Sequence, residues 1–468
     1  MTVTVPDPVR QHADARPDTP ALVTGAETWT WADLDARVSG TAARLAEGGE
    51  RVAVRAETSP DLVVLVLAAL RTGRLLVPLS TRWTPAAVAD ALGRLGIDRL
   101  LSDEAVPGVE TAALADVVQN GERREASAVP LGRPFTVVHT SGSTGEPKAV
   151  VHTVGNHVWS ARGVVEALGV TERSRWLLDL PLYHVGGLGV VVRCALAGAT
   201  LAVPPRAMPL ADRVARLRPT HASLVATQLG RLLDAGADLS GLDAVLLGGS
   251  AIPADLLDRA VAADVPVVVS YGMTEMTSTI TATAPGDDRA ALATSGRSLP
   301  HRAVRISDAG EIEVGGPTLA DVLGPDGVRP FGEWHPTGDL GHLDAEGRLV
   351  VTGRRDVQFV SGGENVRPER VEAALLALDG VAEAVVVPVP DAEFGARPVA
   401  FVRPAGGAQF DADALTAALR RTLPGFMVPV SIHTWAGAEG LKPDRPALAR
   451  RAQELGIRNQ GPMGTPDS

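Results

Sequence analysis

The sequence between residues 51 and 101 alternates short β-branched segments with longer apolar segments of helical period. RVAVR and LLVPL are typical of buried parallel strands, whereas LVVLVLAALRTG and AAVADALGRLG have the spacing of helices. The alternation predicts strand–helix–strand units, because parallel strands need a crossover connection. Similar apolar runs, each followed by a Gly/Ser/Pro-rich turn, recur at 135–139, 176–180, 199–203, 244–247 and 265–270. We therefore predict an α/β fold with functional residues at those turns.

Composition excludes several classes of protein. The chain has 468 residues, of which 45% are hydrophobic, enough for roughly two to three packed units. A formal net charge of -11 argues against a nucleic-acid or anionic-membrane surface, which needs a clustered basic face. The single cysteine, Cys194, permits no intramolecular disulfide, and no apolar run is long enough to span a bilayer. These features predict a cytoplasmic protein without nucleic-acid or membrane partners, and they leave a homo-oligomer open.

Lysine is nearly absent, because Lys148 and Lys442 are the only lysines among 44 basic residues. Arginine serves for surface solvation, but it does not replace a compact and mobile ammonium charge. Lys148 closes a loop of glycines and hydroxyl residues after the strand-like PFTVVH, namely Thr140, Ser141, Gly142, Ser143, Thr144 and Gly145. Glycine N–H groups, hydroxyls and one lysine suit a phosphate cradle. The alternative is an ordinary polar turn.

A second segment, Tyr271, Gly272, Thr274 and Glu275, follows the strand-like VPVVVS. It lies at the carboxyl end of a strand, where ligands bind in α/β sheets. Tyr271 can flank a base and Thr274 can bond a phosphate, while Glu275 is a hard oxygen ligand suited to Mg²⁺. The alternative is a turn with a surface glutamate.

A third group consists of Asp339, in HPTGD, and Arg354, in GRRD. A carboxylate on a tight turn can accept both hydroxyls of a ribose, and an arginine adds a donor. For either motif alone, an Asp turn with a surface salt bridge is the favoured interpretation.

In this order, TSGSTGEPK, YGMTE, TGD, GRRD, SGGENVRPERVE, LPGFMVP and GLKPDR resemble the core motifs of the adenylate-forming superfamily of acyl- and aryl-CoA synthetases. The resemblance covers nearly the whole chain. Within the superfamily, the o-succinylbenzoate–CoA ligases of menaquinone synthesis are the most similar, on the segments LPLYHVGGLGVVVRCALAGA, HASLVATQLGRLL, VSGGEN and DAEFGARPVAF.

The resemblance implies a large N-terminal domain of parallel and mixed sheets with helices and a small β-rich lobe, over residues 1–355. It implies a hinge at Asp356 and a small mobile C-terminal α/β lid over 357–455, while residues 456–468 read as a disordered tail. It also implies two half-reactions. A carboxylic acid attacks MgATP to give an acyl-adenylate and pyrophosphate, and CoA then takes the acyl group and releases AMP.

The resemblance assigns roles residue by residue. The Thr140–Thr144 loop and Lys148 would hold the β- and γ-phosphates, Thr274 the α-phosphate, and Glu275 the Mg²⁺. Asp339 and Arg354 would hold the ribose, and Lys442 would bridge the attacking carboxylate and the α-phosphate. Ser361, Gly362 and Gly363 would line the CoA path, although this loop also reads as a helix-entry turn.

Three features concern the acyl group. His184 resembles the residue that lines the gate between the ATP and acyl pockets; the alternative is a histidine bonded within an apolar wall. Arg193 stands alone in VVVRCALAGA and would bind the second carboxylate of a dicarboxylic acid, or else form an internal salt bridge or reach the surface. Gly248, Gly249 and Ser250 would form the pocket floor.

Three activities follow as hypotheses. The favoured one is ligation of o-succinylbenzoate to CoA. The second is activation of another aryl, alicyclic or fatty acid, for CoA or for a carrier protein. The third is a non-catalytic adenylate- or CoA-binding regulator.

Overall fold

The computed structural model describes residues 3–122, 128–140, 148–249, 252–324, 327–355, 357–361, 364–391, 394–406, 409–436 and 443–455. The helices in these ranges are α1 (Pro8–Ala15), α2 (Trp31–Ala46), α3 (Pro60–Thr72), α4 (Pro85–Arg94), α5 (Val154–Ala167), α6 (Val185–Ala197), α7 (Leu210–Leu217), α8 (Ala226–Asp234), α9 (Ala254–Ala262), α10 (Pro368–Leu376), α11 (Ala412–Thr422) and α12 (Arg445–Glu454). One-turn 3-10 helices occur at Leu114–Asp116, Thr274–Met276, Ala291–Ala293 and Gly425–Met427.

The strands of the first half of the chain are β1 (Thr4–Val5), β2 (Pro20–Val23), β3 (Thr28–Thr30), β4 (Arg51–Val54), β5 (Leu75–Pro78), β6 (Arg99–Leu101), β7 (Glu110–Ala112), β8 (Val129–Pro130), β9 (Pro134–Thr140), β10 (Lys148–Thr153), β11 (Arg175–Leu177), β12 (Thr200–Ala202), β13 (His221–Leu224) and β14 (Ala244–Leu247). Those of the second half are β15 (Val267–Met273), β16 (Ser278–Ala282), β17 (Arg297–Ser298), β18 (Ala303–Ile306), β19 (Glu311–Gly315), β20 (Asp321–Gly324), β21 (Gly327–Pro330), β22 (Trp334–Leu343), β23 (Leu349–Arg354), β24 (Phe359–Ser361), β25 (Glu364–Val366), β26 (Val381–Asp391), β27 (Gly395–Pro404) and β28 (Ser431–Thr434).

Two large mixed sheets carry most of the chain. One has the strand order β21-β20-β10-β9-β5-β4-β6-β7, and the other has the order β17-β16-β15-β14-β13-β11-β12-β2-β3. The central strands run parallel, as the alternation of strand and helix predicted. Antiparallel strands lie at one end of the eight-stranded sheet and at both ends of the nine-stranded sheet. The predicted α/β fold class is confirmed.

Apolar faces place helices between and outside the two sheets. The largest buried cluster combines residues of α2, α3, α5 and α6 with inward-facing residues of both sheets, for example Trp176 and Leu201 from one and Phe135 and Leu76 from the other. A second cluster packs α7, α8 and α9 on the far side of one sheet, and a third packs α4 on the far side of the other. The result is a layered helix–sheet–helix–sheet–helix arrangement, since each sheet must cover both faces.

The start of helix α5 is fixed by a hydrogen-bonded cap that is encoded in the local sequence. Helix α5 begins directly after β10, where the Thr153 side chain accepts a hydrogen bond from the Asn156 N–H and the Asn156 side chain accepts one from the Thr153 N–H. This reciprocal pair is a capping box, which satisfies two otherwise unpaired donors. The Asn156 amide also donates to the carbonyls of Pro317 and Leu319, at 2.9 and 3.0 Å. The start of α5 is therefore tied to a distant loop.

Two smaller sheets follow. A four-stranded antiparallel sheet has the order β18-β19-β22-β23, and a five-stranded sheet contains β24 to β28. The first corresponds to the β-rich lobe predicted for 303–353, with one correction: β20 and β21 leave the lobe, and β20 pairs with β10 of the eight-stranded sheet. Apolar Val322 and Leu323 supply an edge for β10 there.

The last hundred residues form helices and strands, consistent with the α/β unit expected there. They contain helices α10 and α11 and the paired strands β26 and β27, and the Asp411 side chain caps α11 by accepting from the Ala414 N–H at 2.9 Å. The domain boundary near 353–357 remains a prediction. In the part of the chain that the structure describes, no helix is long and apolar enough to cross a membrane.

Candidate active site

Strand β15 delivers the Tyr271–Glu275 segment to the carboxyl end of the nine-stranded sheet, as the sequence predicted. The strand ends at Met273, and the 3-10 turn Thr274–Met276 then carries the chain into antiparallel β16. Gly272 is required at the hairpin, because a Cβ there would lie 2.2 Å from the Ser278 carbonyl oxygen.

Tyr271 and Arg354 converge on one carboxylate. The Tyr271 hydroxyl donates to Asp339 Oδ2 at 2.5 Å, and Arg354 Nη1 donates to Asp339 Oδ1 at 3.0 Å. Asp339 lies opposite Arg354 in the β22–β23 pairing. Burial, reinforced by the Asp339 charge, raises the pKa of Tyr271, so its hydroxyl stays protonated and donates. Asp339 is buried, so a plain surface salt bridge does not describe this pair.

The turn below Asp339 is held by its neighbours. The Asp339 N–H donates to Thr337 Oγ1 at 3.0 Å, and that hydroxyl donates to the Ile312 carbonyl at 2.8 Å. Gly338 adopts a φ of 77°, and its N–H donates to Glu311 Oε1 at 2.9 Å. The carboxylate is thereby fixed on β22, an inner strand of the four-stranded sheet. A carboxylate held in this way is a suitable acceptor for ribose hydroxyls.

Lys148 and Glu275 lie 127 positions apart in the sequence, but both charges act on His335. Burial lowers the pKa of His335; the Glu275 charge opposes this shift, and the Lys148 charge adds to it. Both charges therefore act on this part of the molecule. Lys148 is exposed and pairs with Thr140 across the β9–β10 hairpin. This arrangement fits a site for an anion with an associated metal ion.

The donor set around Glu275 suits Mg²⁺ bound with a nucleotide. Within the described ranges, no group of three or more His, Cys, Asp or Glu side chains is placed to hold a metal ion. Mg²⁺ at such sites takes one or two carboxylates, and phosphate oxygens and waters supply the rest. The Glu275 carboxylate meets that requirement.

Arg193 is buried on α6, with 1% of its surface exposed. Its Nη2 lies 3.4 Å from both Ser278 Oγ and Thr279 Oγ1, and its guanidinium carbon lies 5.3 Å from the Trp176 ring centroid. Its buried Nε has no hydrogen-bond partner among the described residues. Neither a surface position nor an internal salt bridge is seen for Arg193 in the described structure.

A second buried arginine, Arg302, contacts the same strand. Its Nε donates to the Thr279 carbonyl at 2.9 Å, and Nη1 donates to the carbonyls of Pro300 and Trp159, at 2.7 and 3.4 Å. Nη2 donates to the Ser160 carbonyl at 2.8 Å and to its hydroxyl at 3.1 Å. All five donors of this guanidinium are thus used.

The two arginines form a cationic wall. Burial lowers the pKa of Arg193 to about 10 and that of Arg302 to about 9, and the Arg193 charge adds to the second shift. No described carboxylate contributes to either pKa. Two buried cations without an anion create a positive potential that an anionic ligand would neutralise.

The remaining acyl-side residues lie as follows. His184 is exposed at the N-cap position of α6, with its ring centroid 4.7 Å from that of Tyr183; it does not lie within an apolar wall. Gly248 and Gly249 follow β14, and a Cβ on Gly248 would lie 2.6 Å from Ser270 Oγ. The chain therefore turns tightly against β15 at this point.

In the small C-terminal sheet, Ser361 is fully buried and its Oγ has no hydrogen-bond partner among the described residues. Glu372 of α10 forms a bidentate pair with Arg445, at 2.7 and 2.8 Å. Several predicted residues lie outside the described residues: Ser141, Gly142, Ser143, Thr144, Gly145, Ser250, Asp356, Gly362, Gly363 and Lys442.

Sequence reasoning missed several residues of this site. His335 opens the HPTGD segment and could have been singled out by its position. Arg302, Ser160 and His152 gave no comparable signal, because their partners lie more than 100 positions away in the sequence.

Comparison with known proteins gives consistent matches. Residues 9–321 match the AMP-binding enzyme family, and residues 370–438 match the AMP-binding enzyme C-terminal domain. The 2-succinylbenzoate–CoA ligase of Salmonella typhimurium is 37% identical over 405 residues, which cover 84% of this chain and 86% of the relative.

Two solved structures are similar over almost their full length. o-Succinylbenzoate CoA synthetase (MenE) from Bacillus subtilis, in complex with the acyl-adenylate intermediate OSB-AMP, has a TM-score of 0.86 and 29% identity, covering 95% of this chain and 98% of that one. The same enzyme in complex with ATP and magnesium ion has a TM-score of 0.83 and 30% identity, covering 92% and 96%.

Proposed function

This chain belongs to the AMP-binding enzyme family, and from that premise we propose that it is an ATP-dependent o-succinylbenzoate–CoA ligase. In the first half-reaction, a carboxylate oxygen of the acid bonds to the α-phosphorus of ATP and pyrophosphate leaves. In the second, the CoA sulfur bonds to the acyl carbon and AMP leaves. The thiol proton passes to solvent.

The cationic wall of Arg193 and Arg302 is the feature that favours an acid with a second carboxylate. o-Succinylbenzoate has two carboxylates, of which only one is activated, so the other needs a cation within the pocket. Arg193 offers an unused Nε and weakly engaged Nη2 donors, and Arg302 adds charge behind it. Arginine pairs with carboxylates through two parallel hydrogen bonds. The identity to 2-succinylbenzoate–CoA ligases supports the same substrate.

We assign the nucleotide to the Tyr271, Asp339 and Lys148 side of the site. Asp339 would accept the ribose hydroxyls while Arg354 and Tyr271 fix its orientation, and Lys148 would neutralise phosphate charge. Glu275 would hold Mg²⁺, which supplies further positive charge at the phosphates when bound. The contribution of these residues is electrostatic and positional, as phosphoryl-type chemistry requires.

We propose that the C-terminal part acts as a lid hinged at Asp356, bringing in Lys442 for adenylation and the Ser361–Gly363 segment for CoA. Arg445, three positions after Lys442, is anchored to α10 through Glu372. The orphan Ser361 hydroxyl offers a polar group to a ligand. A cytoplasmic location agrees with ATP and CoA as co-substrates.

The test is pyrophosphate release with o-succinylbenzoate, with benzoate and with medium-chain acids, each followed by CoA addition. We expect release only with o-succinylbenzoate, followed by AMP formation on CoA addition. Preference for another acid would replace the substrate, and adenylation without transfer to CoA would point to a carrier protein. Silence with every acid would favour a non-catalytic regulator.

A further inference from the structure

A chain of buried hydrogen bonds runs from α5 to the turn that bears Thr274 and Glu275. His157 Nε2 lies 2.9 Å from Thr136 Oγ1, which lies 3.2 Å from His152 Nδ1; His152 Nε2 lies 2.8 Å from the Thr274 carbonyl oxygen. All three linking side chains are at most 2% exposed. The chain connects the phosphate-side strand β10 with the far side of the site.

The carbonyl fixes the direction of every bond in this chain. A carbonyl only accepts, so His152 carries its proton on Nε2 and donates to Thr274. Burial keeps His152 neutral, lowering its pKa to about 4, so Nδ1 accepts and the Thr136 hydroxyl donates to it. Thr136 then accepts from His157, whose pKa burial also lowers. One tautomer of each histidine satisfies the whole chain.

The turn that receives this bond is strained. Thr277 has a φ of 54° and Ser278 a φ of 95°, although neither is glycine and Thr277 is β-branched. Such conformations persist only when the surroundings over-determine them, and they concentrate at functional sites. A small loss of support should therefore shift the turn.

Three other groups clamp the same turn from outside. The Ala320 N–H donates to the Glu275 carbonyl at 2.8 Å, Ser160 Oγ donates to the Thr277 carbonyl at 2.5 Å, and Thr277 Oγ1 donates to the Thr318 carbonyl at 2.8 Å. His152 bonds to the first residue of the turn, Thr274, which precedes the residues held by these three groups. Its bond orients the peptide between Thr274 and Glu275, the two residues assigned to the α-phosphate and Mg²⁺.

His152 and Lys148 both lie on β10, four residues apart, so their side chains point to the same face of the strand. We propose that His152 is a positioning residue for adenylation: by donating to the Thr274 carbonyl, it sets Thr274 and Glu275 against Lys148 for MgATP. The proposal rests on the proposed function. It differs from a packing role, because it requires the Nε2 donor rather than the ring volume.

The test compares His152→Leu, which removes the donor, with His152→Gln, which returns an amide N–H. The matched control is His221→Leu. His221 is also buried, lies 2.8 Å from a threonine hydroxyl and 3.2 Å from a backbone carbonyl, but contacts Thr220 and Leu168 away from this turn. Binding of magnesium with α,β-methylene-ATP is measured by calorimetry, and CoA transfer is measured from preformed acyl-adenylate.

We expect His152→Leu to weaken analogue binding by about 10- to 100-fold, the usual cost of losing a group that orients a metal ligand. CoA transfer should change by less than about threefold, and His152→Gln should recover most of the binding. His221→Leu should leave both measurements near wild type. Unchanged binding in His152→Leu, equal losses in both half-reactions, or the same loss in His221→Leu would overturn the proposal.

Thr136→Val keeps the test valid if His152→Leu does not fold. It removes one hydroxyl with little change of volume, and a smaller loss of analogue binding is expected. Histidine side-chain ¹⁵N spectra of the free protein should show the His152 proton on Nε2 in wild type and a tautomer mixture in Thr136→Val; a wild-type proton on Nδ1 would contradict the proposal. If the wild-type protein binds the analogue normally but releases no pyrophosphate with o-succinylbenzoate, only the proposed acid is overturned.

Discussion

Arg193 and Arg302 both contact strand β16 from buried positions, but they differ in how many of their N–H groups are hydrogen-bonded. Arg302 donates to four backbone carbonyls and one hydroxyl, which use all its N–H groups. Arg193 has two contacts of 3.4 Å to hydroxyls and an Nε without a partner among the described residues. Both have lowered pKa values, so burial alone does not distinguish them.

The difference separates a structural cation from one that is ready to bind. Each bond that Arg302 makes compensates for its desolvation, and the bonds hold three segments of backbone in place, at 159–160, 279 and 300. Arg193 bears the desolvation cost with little compensation, which is costly unless a ligand supplies the missing acceptors. Unsatisfied buried donors at a site are thus a better indicator of function than burial or charge alone.

The largest effect that would sharpen this comparison is expected for Arg302→Met. The variant removes every hydrogen bond that Arg302 donates, including those to the Thr279 and Pro300 carbonyls, and a buried group that loses its partner costs about 1 to 3 kcal/mol. We expect the free energy of unfolding, measured by urea denaturation, to fall by about 3 to 5 kcal/mol. A loss below about 1 kcal/mol would remove the structural half of the comparison.

Arg193→Met should give the opposite result. Its unfolding free energy should stay within about 1 kcal/mol of wild type or rise, because a poorly compensated buried charge is removed. The KM for o-succinylbenzoate should rise by about 100-fold, equivalent to about 2.7 kcal/mol for a lost charged pair. Arg193→Lys keeps the charge without the planar fork and should lie between the two. An unchanged KM in a folded Arg193→Met protein would refute the carboxylate role.

Arg354 offers a third, half-exposed guanidinium for comparison. Because water screens the Arg354–Asp339 pair, Arg354→Met should change the unfolding free energy by less than about 1 kcal/mol. The KM for ATP should rise by about tenfold, since the ribose carboxylate loses a partner. Arg348→Met, at a partly buried pair with Asp344 in the turn that joins β22 and β23 of the same sheet, is the control and should leave the KM for ATP unchanged.

The smallest effect concerns protons on buried histidine. The pKa of His152 is lowered to about 4 by burial, against 6.5 in the unfolded chain, so the unfolded state binds more protons between these values. Stability should therefore fall as the pH drops through this window, by about 1 kcal/mol between pH 7 and 5.5 for this residue. Urea denaturation of wild type and His152→Gln at both pH values measures this change. If the unfolding free energy changed equally with pH in the two proteins, the assignment would be contradicted.

Short-range patterns predicted the elements and the ligand-bearing turns. The Tyr271–Glu275 segment was predicted at the carboxyl end of a strand and lies there, whereas Asp339, predicted on a tight turn, lies within β22. Arg193 was visible because it is the one charged residue in an apolar run. Arg302 was not visible, since it stands in the polar sequence SLPHRAVR and its carbonyl partners are properties of the folded backbone. The pairing of β20 with β10 was not predicted, because edge pairing depends on strands that are distant in the sequence.

The bonds of Arg302 also set an order of assembly. They join this residue to Ser160, 142 positions earlier, and to Thr279, so the support that Arg302 gives to the strand after the strained turn forms only once residue 302 has been synthesised. The β9–β10 hairpin and α5 rely on closer contacts and can form while the chain is still being made. A nascent chain that ends before residue 302 would therefore carry a structured phosphate-side strand but an incomplete nucleotide site.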